Sequence, residues 1–240
     1  MQKSLIRQRF SRCLKTYEEN AVVQKKMAIE LAELLERTDY KNVLELGCGT
    51  GFLTSQIYGR LKFADYTAVD IVEECSEYIS KISDGIEFIC SDVEDFSTDK
   101  KFDLIVSNAS LQWVENLSDY IKKIRLNLND GGCFLFTLFG KDNFKEMSDF
   151  VSRPLKYYSV EELKNIFSEF KIEKIYDKKE VMKFSTPIDV LRHIKHTGVN
   201  ALSNNHWTKR DLINFEKEYP VNDFGESTLT YHPVYIKLSV

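Results

Sequence analysis

Long hydrophobic runs are missing from this chain of 240 residues. No stretch approaches the ~20 consecutive apolar residues that a membrane-spanning helix needs, and the first residues lack the apolar core of a secretion signal. The formal net charge of −4 gives no basic excess of the kind that nucleic-acid-binding domains carry. We therefore expect a cytoplasmic protein that binds neither membranes nor nucleic acid.

Cysteine is also sparse: the chain has five, an odd number, with no C-x-x-C spacing. A disulfide framework needs pairs of cysteines, and a zinc site needs closely spaced ligands. We find no Ser/His/Asp set and no paired carboxylates in the sequence either. The pattern predicts reduced thiols, no bound metal and no catalytic triad.

What is present is an ordinary globular composition, with 43% hydrophobic and 29% charged residues, enough for a sizeable core. From residue 42 onward, short apolar runs alternate with helical patterns, which predicts a parallel sheet with crossover helices. The predicted strands are 43–46, 66–69, 86–90, 102–107 and 132–138, followed by long strands over 171–184 and 229–238. Ser159 and Glu162 predict a capping box at the start of a helix over 159–170.

This pattern also predicts how the chain is divided. We expect one domain over residues 1–240, with a helical cap over 1–37 and helix predicted from residue 5. The α/β core would comprise 38–186 and 227–240. The intervening segment, 187–226, has helical periodicity and is predicted to form a lid inserted before the last strand.

The most informative segment is a glycine-rich turn. An apolar strand ends in Glu45, and glycines follow at positions 47, 49 and 51. Glycine lets the backbone adopt positive φ and lie directly against a ligand. Phe52 stands where the dinucleotide fingerprint G-x-G-x-x-G has its third glycine, and no P-loop lysine follows. We expect Glu45 to point at the ligand, where a carboxylate favours a cation and repels a phosphate.

Polar residues follow the next predicted strands. Asp70, Asp92 and Asn108 each come at or just after a strand end. Open α/β sheets bind ligands beyond the carboxyl ends of their strands. A carboxylate at the position of Asp70 can accept hydrogen bonds from both hydroxyls of a ribose, so these residues predict a nucleoside-containing ligand.

The E-x-G-x-G-x-G segment resembles motif I of the Rossmann-like class I methyltransferases, which use S-adenosylmethionine. Other segments resemble, more specifically, the malonyl-[acyl-carrier protein] O-methyltransferases of biotin synthesis. These segments are 9–12 with 17–21, 107–113 with 116–117, 191–198, and the L-T-Y-H sequence at 229–232. One departure is in the lid, where many relatives have a threonine-histidine pair and this chain has Asn200 and Ala201.

The resemblance implies a mostly parallel sheet with helices on both faces, an N-terminal helix and a helical lid insertion. It implies methyl esterification by S-adenosylmethionine of the free carboxylate of malonyl-acyl-carrier protein or malonyl-coenzyme A, without a metal. The residues expected to bind the cofactor are Tyr17, Glu45, Gly47, Cys48, Gly49, Gly51, Asp70, Ile71, Asp92, Val93, Asn108 and Gln112. The candidates for holding the acceptor carboxylate are Arg192, Lys195, Tyr231 and His232, with Arg153 and Lys156 behind them.

Three alternatives stay open. The chain could methylate another small carboxylate, such as an aconitate-like acid; it could be a cofactor-binding regulator without activity; or it could be an NAD-dependent oxidoreductase. The choice between carrier protein and coenzyme A is also open. Residues 1–15 carry five basic residues and no acidic one, so we expect the N-terminal helix to dock an acidic carrier protein.

Overall fold

The computed structural model describes residues 3–150, 155–198 and 208–240. Its strands are β1 (Asn42–Leu46), β2 (Asp65–Asp70), β3 (Ile86–Cys90), β4 (Phe102–Ser107), β5 (Leu128–Phe139), β6 (Lys171–Asp177), β7 (Glu180–Phe184), β8 (Ser227–Tyr231) and β9 (Pro233–Ser239). Its helices are α1 (Lys3–Asn20), α2 (Val22–Glu33), α3 (Phe52–Ile57), α4 (Ser76–Ile82), α5 (Leu117–Leu126), α6 (Val160–Ile166), α7 (Pro187–His196) and α8 (Lys209–Glu218).

Seven strands form one sheet in the order β3-β2-β1-β4-β5-β9-β6. Strands β1 to β5 pair in parallel, and β9 runs antiparallel between β5 and β6. The strand order reverses between β1 and β4, and at such a switch point the loops after the two strands diverge and leave a crevice. The predicted α/β fold with a mostly parallel sheet is confirmed.

Helices cover both faces of this sheet because its central strands are apolar on both sides. In β4, Leu104, Ile105 and Val106 are all fully buried, as expected for a parallel strand between two helical layers. One core cluster lies on the side of α5 and α6 and the other on the side of α2, α3 and α4. The glycine turn and the end of β4 are therefore held on a rigid central layer.

A third cluster joins the N-terminal and C-terminal parts of the chain. Met27 of α2, Val190 of α7 and Phe215 of α8 pack with Leu229 and Tyr231 of β8, all nearly inaccessible to solvent. Strands β7 and β8 form a separate two-stranded antiparallel sheet. In the described part of segment 187–226, helices α7 and α8 thus pack against this small sheet.

Local signals explain where several helices begin. The predicted capping box is present, because the Ser159 side chain accepts a hydrogen bond from the Glu162 backbone while the Glu162 carboxylate accepts one from the Ser159 backbone. The Thr186 side chain caps α7, with Pro187 in its first turn, where a missing N–H costs nothing. The helix predicted over 159–170 ends earlier than expected, at Ile166.

Other predicted boundaries were wrong. The helix expected over 5–37 is two helices, because Ala21 leaves the helical conformation at φ −80°, ψ 49°. The fifth strand begins at Leu128, since that residue pairs with Phe102 before an irregularity in the ladder.

Each of the two long strands predicted over 171–184 and 229–238 is interrupted, and the two interruptions lie next to each other in the structure. His232 lies at one break, and its ring lies 2.7 Å from Asp177, which precedes the other break. The backbone N–H of His232 donates to the Asn143 side chain instead of to a neighbouring strand. A side-chain hydrogen bond thus replaces one ladder bond where the chain passes from the large sheet to the small one, while the His232 carbonyl still accepts from the Gly140 N–H.

Candidate active site

The glycine turn after β1 is tightly packed at Gly47 and open at Gly49. Gly47 has φ +71°, and a Cβ there would lie 2.1 Å from Ser110 Oγ. Gly49 has φ +53° and faces open space, with nothing within 4 Å of a Cβ. Positive φ favours glycine, and the bare backbone at position 49 leaves space for a ligand beside it.

Asp70, at the end of β2, holds this turn. Its carboxylate accepts a hydrogen bond of 2.8 Å from the Gly49 N–H and one of 2.9 Å from the Val72 N–H. Burial raises the pKa of the Asp70 carboxyl, although both N–H groups act in the opposite direction. Asp70 therefore fixes the relative position of the loops after β1 and β2 while lining the space between them.

A cavity of about 110 Å³, which we call the cofactor cavity, opens at this point. It lies at the switch point of strand order, between the ends of β1, β2 and β4. Seven of the expected cofactor-binding residues line it: Tyr17, Gly47, Gly49, Asp70, Ile71, Asp92 and Asn108.

Residues that the sequence argument missed also line the cofactor cavity. Ile6, Phe10 and Leu14 form one face of α1 with Tyr17, and their spacing of three to four residues is the signal that could have identified them. Thr50 contributes a buried hydroxyl that has no hydrogen-bond partner among the described residues. Helix α1 thus closes one side of the cavity.

Five of the expected residues do not line the cofactor cavity. Gly51 caps α3 with φ +81°; Cys48 is buried, which raises the pKa of its thiol; and Val93 packs against the α5 side of the core. Gln112 lines a neighbouring cavity instead. These residues shape the surroundings of the cofactor cavity rather than its walls.

Glu45 is the fifth, and its side chain does not point at the ligand space as we expected. Its carboxylate is buried, where it accepts hydrogen bonds of 2.7 Å from Thr54 Oγ1 and 2.6 Å from the Tyr66 hydroxyl. The side chain lies between the sheet and α3, because alternation along β1 puts it on the same face as Val43. Burial raises the pKa of Glu45 to about 7, against the effect of these two hydrogen bonds.

Asn108 lines the cofactor cavity, but its amide is engaged within the protein. Its Nδ2 donates to the Gln24 carbonyl at 3.0 Å, and its Oδ1 accepts from Thr137 Oγ1 at 2.8 Å. The same Thr137 hydroxyl accepts from the N–H of Ala109, a residue at φ +49°. Asn108 thus holds the turn after β4 against α2 and β5.

A smaller cavity of about 20 Å³, the second cavity, adjoins the first. The two cavities share four lining residues, Phe10, Tyr17, Ala109 and Trp113. Phe10 and Trp113 meet edge to face with ring centroids 5.5 Å apart. The rest of the second cavity is lined by Gln24, Gln112, Phe139, Asn143, Phe144, Leu155, Tyr157 and Thr197.

Three of the cationic candidates for holding an acceptor carboxylate lie at the surface. Arg192 is exposed and donates to Asp189 one helical turn away, at 2.7 Å. Lys195 is exposed, and so is Lys156, whose ammonium lies over the Tyr158 ring. Neither Arg192, Lys195 nor Lys156 lines either cavity. Arg153, like Asn200 and Ala201 of the predicted lid, lies outside the described residues.

The two remaining candidates are buried. His232 Nδ1 accepts from the Asp142 backbone N–H at 3.0 Å, so the proton of the neutral ring sits on Nε2 and is donated to Asp177. The His232 ring therefore bonds to groups beside the strand break, and it lines neither cavity. The Tyr231 hydroxyl lies 2.7 Å from His193 Nε2. Burial raises the pKa of Tyr231, against the effect of the Gln24 and Thr197 side chains, which line the second cavity.

Across 3–150, 155–198 and 208–240, no group of three or more His, Cys, Asp or Glu residues could hold a metal ion. No helix within those ranges is long and apolar enough to cross a membrane.

Comparison with solved structures shows the fold. The N-methyltransferase NodS of Bradyrhizobium japonicum, solved with S-adenosyl-L-homocysteine, is 15% identical and superposes with a TM-score of 0.57 over 98% of this chain and 97% of that one. The YcgJ protein of Bacillus subtilis is 15% identical, with a TM-score of 0.62 over 88% of this chain and 97% of that one. The chain has the class I methyltransferase fold.

Comparison with curated sequences shows the family. The methyltransferase-domain family profile matches residues 14–175. The chain is 38% identical to the malonyl-[acyl-carrier protein] O-methyltransferase of Calditerrivibrio nitroreducens, over 93% of this chain and 91% of the relative. It is 33% identical to the Haemophilus influenzae protein of the same name, over 97% and 93% of the two chains. The chain therefore belongs to the malonyl-[acyl-carrier protein] O-methyltransferase family of methyltransferases.

Proposed function

We propose that this protein uses S-adenosylmethionine to methylate the free carboxylate of a malonyl thioester carried on acyl carrier protein. The observation that carries the proposal is the nearly full-length similarity to relatives of that name. Two adjoining cavities support it, because a transferase needs a donor site and an acceptor site that meet. The resemblance further implies that the methyl ester serves biotin synthesis.

The cofactor cavity fits the proposed donor. Gly49 leaves its backbone bare toward the cavity, and the Thr50 hydroxyl there has no hydrogen-bond partner in the part of the chain that the structure describes. We infer that the Gly47–Gly49 turn holds the amino-acid part of the cofactor, that Asp70 accepts from the ribose hydroxyls and that Asp92 lies near the adenine. When bound, S-adenosylmethionine supplies an electrophilic methyl group on a positively charged sulfur.

Little further machinery is needed for this acceptor. A malonyl carboxylate is ionised at pH 7, so no residue has to act as a general base. The protein's task is then to hold the carboxylate in line and to keep water out. Phe10, Tyr17 and Trp113, which line both cavities, are suited to exclude water where the cavities meet.

The basic residues on the outer face of α1 are evidence for a carrier protein as partner. Lys3 pairs with Asp92, Glu94 and Asp95, so it is already engaged. Arg12 and Lys15 are exposed on α1. Helix α7 packs beside them, because the Cys13 thiol donates to the Lys195 carbonyl and brings exposed Lys195 to the same side. We infer that this basic surface attracts an acidic carrier.

Methyl transfer from labelled S-adenosylmethionine tests the reaction. We expect label on malonyl-carrier protein and none on acetyl-carrier protein, which has no free carboxylate. Label on free trans-aconitate instead would move the protein to the other carboxylate methyltransferases, and no transfer to any acid would refute the proposal.

Charge reversal tests the docking surface. The double variant Arg12→Glu/Lys15→Glu should raise KM for malonyl-carrier protein and leave KM for malonyl-coenzyme A nearly unchanged, because only the carrier is a large acidic partner. Equal effects on both acceptors would contradict docking on α1.

A further inference from the structure

One lysine of α1 is paired with the acidic residues that follow β3. The Lys3 ammonium lies 3.2 Å from Asp92 Oδ1, 3.5 Å from Glu94 Oε2 and 3.4 Å from Asp95 Oδ1. Helix α1 begins at Lys3, three positions before Ile6, so Lys3 continues the helix face that lines the cofactor cavity. Lys3 therefore joins the beginning of α1 to the loop after β3.

Among these three carboxylates, that of Asp92 belongs to a residue that lines the cofactor cavity. Its Oδ1 accepts a hydrogen bond of 2.8 Å from the Glu94 backbone N–H and is also the oxygen that pairs with Lys3. No described residue donates a hydrogen bond to the other oxygen, Oδ2. An ionised carboxylate accepts on both oxygens, so Oδ2 is the atom that Asp92 offers to a ligand.

The main chain around Asp92 is held by groups other than Lys3. The Lys123 ammonium donates to the Glu94 carbonyl at 2.8 Å and to the Phe96 carbonyl at 2.5 Å. The Asp92 carbonyl in turn accepts from the Phe96 N–H at 2.9 Å. Loss of Lys3 would thus leave the loop in place, and the part that is free to turn would be the Asp92 side chain.

Charge explains why this side chain needs a cation beside it. Three carboxylates lie within 3.5 Å of one ammonium. Without Lys3, the Asp92 carboxylate would face two like charges, and their repulsion would turn it away from them. The side chains of Asp92 and Glu94 are 15% and 21% exposed, and partly buried charges are screened less by salt. The Lys3 ammonium therefore sets the direction of the Asp92 carboxylate.

We propose that Lys3 positions the Asp92 carboxylate so that Oδ2 accepts a hydrogen bond from the 6-amino group of the cofactor's adenine. The proposal rests on the proposed function for the placement of adenine beside Asp92, and it adds the group that makes this contact selective. Lys3 lines neither cavity and is a positioning residue, since it acts through Asp92. A base without an exocyclic amino group would bring no donor to Oδ2.

The test compares two ligands that differ by one amino group. One is S-adenosylhomocysteine, and the other is its 6-deamino analogue, whose base is unsubstituted purine. Calorimetry with the full-length protein gives both dissociation constants, and their ratio measures the selectivity for the amino group. The variants are Lys3→Met and Lys3→Arg. Lys164→Met is the matched control, because Lys164 is paired with Glu161 at 2.8 Å on α6 and neither residue lines either cavity.

Wild type should bind S-adenosylhomocysteine about 10- to 100-fold more tightly than the analogue, the usual contribution of one hydrogen bond to a charged group. Lys3→Met should lower this ratio about fivefold or more, mainly by weakening the binding of S-adenosylhomocysteine. Lys3→Arg should keep the ratio within about threefold of wild type, since the guanidinium keeps the positive charge. Lys164→Met should leave the ratio unchanged.

A role of Lys3 in packing α1 alone would change the affinity for both ligands by the same factor. An unchanged ratio in Lys3→Met, or a wild-type ratio near one, would therefore overturn the proposal. The variants Asp92→Ala and Asp92→Ala/Lys3→Met complete a double-mutant cycle. Without the Asp92 carboxylate, loss of Lys3 should no longer change the ratio. A similar fall in that background would show that Lys3 acts on the base without Asp92, and would also overturn the proposal.

These measurements contain no methyl acceptor, so they separate this assignment from the proposed function. If the ratio falls in Lys3→Met as expected but wild type transfers no methyl group to any malonyl thioester, the assignment of Lys3 holds and the proposed function is wrong. If wild type methylates malonyl-carrier protein and the ratio does not depend on Lys3, the proposed function holds and the assignment is wrong.

Discussion

The buried carboxyl of Glu45 provides the most direct test of the electrostatics beneath the glycine turn. It lies 1% exposed between Thr54 and Tyr66, and burial raises its pKa from 4.5 to about 7. Because the folded state resists ionisation of this group, its contribution to stability is greatest at low pH. That contribution falls as the pH rises from about 4.5 to about 7 and is constant above.

The magnitude follows from the two pKa values. A tenfold change in an ionisation equilibrium corresponds to ~1.4 kcal/mol, so full ionisation of Glu45 costs the folded state about 3 kcal/mol. Roughly 2–3 kcal/mol of this develops between pH 5 and pH 8. Glu45→Gln removes the charge, and any steric or hydrogen-bonding cost of the amide is the same at both pH values and cancels in their difference.

Urea unfolding at pH 5 and pH 8 measures this difference. We expect the unfolding free energy of Glu45→Gln, relative to wild type, to rise by roughly 2–3 kcal/mol from pH 5 to pH 8. Glu216→Gln, on the exposed face of α8, is the matched control and should show little change between the two pH values. A difference for Glu45→Gln that is independent of pH, or that falls as the pH rises, would refute the reasoning.

Three further substitutions test the remaining contacts. Asp70→Asn places an amide N–H against the N–H of Gly49 or Val72 and should weaken S-adenosylhomocysteine binding at least tenfold, read by calorimetry; unchanged affinity would contradict the placement of Asp70 in the site. Gly47→Ala combines positive φ with a Cβ 2.1 Å from Ser110 Oγ and should lower stability by about 2 kcal/mol or more, whereas a melting temperature equal to wild type would show that the turn adapts. His232→Ala removes the hydrogen bonds to Asp142 and Asp177. It should lower the unfolding free energy by roughly 1–3 kcal/mol without changing cofactor affinity. A loss of cofactor affinity at unchanged stability would instead connect His232 to the site.

Features with a local cause could be predicted from the sequence. The strands 86–90 and 102–107 lie where the periodicity put them, and the capping box at Ser159 has its expected partners. The proximity of the glycine turn and Asp70 could be predicted for a similar reason, since parallel strands bring their carboxyl ends to one edge of the sheet. The orientation of Glu45 could also have been predicted, because alternation along β1 places its side chain on the same face as Val43. We instead expected Glu45 to point at the ligand because motif I is generally associated with ligand binding, and that expectation was wrong.

Features that depend on distant contacts could not be predicted. The break at His232 depends on Asp177, which is 55 residues away in sequence, and no local pattern marks it. The second cavity draws Gln24 from α2 and Thr197 from the end of α7. The sequence analysis proposed Arg192 and Lys195 as cations that hold an acceptor carboxylate. In the structure both side chains are exposed on α7. Their exposure depends on how α7 packs against α1, which the sequence does not show.

Helix α1 separates the cofactor cavity from the surface that we expect to meet the carrier. Phe10 and Tyr17 form walls of both cavities, while Arg12 and Lys15 are exposed on the same helix. Only the width of one helix, about 10 Å, lies between these two faces. A ligand that fixes α1 from inside also fixes the outer face. If this raises the affinity of that face for a partner, thermodynamic linkage requires the bound partner to raise the affinity for the ligand by the same factor. Donor and carrier would then bind cooperatively through a shared wall, without any contact between them.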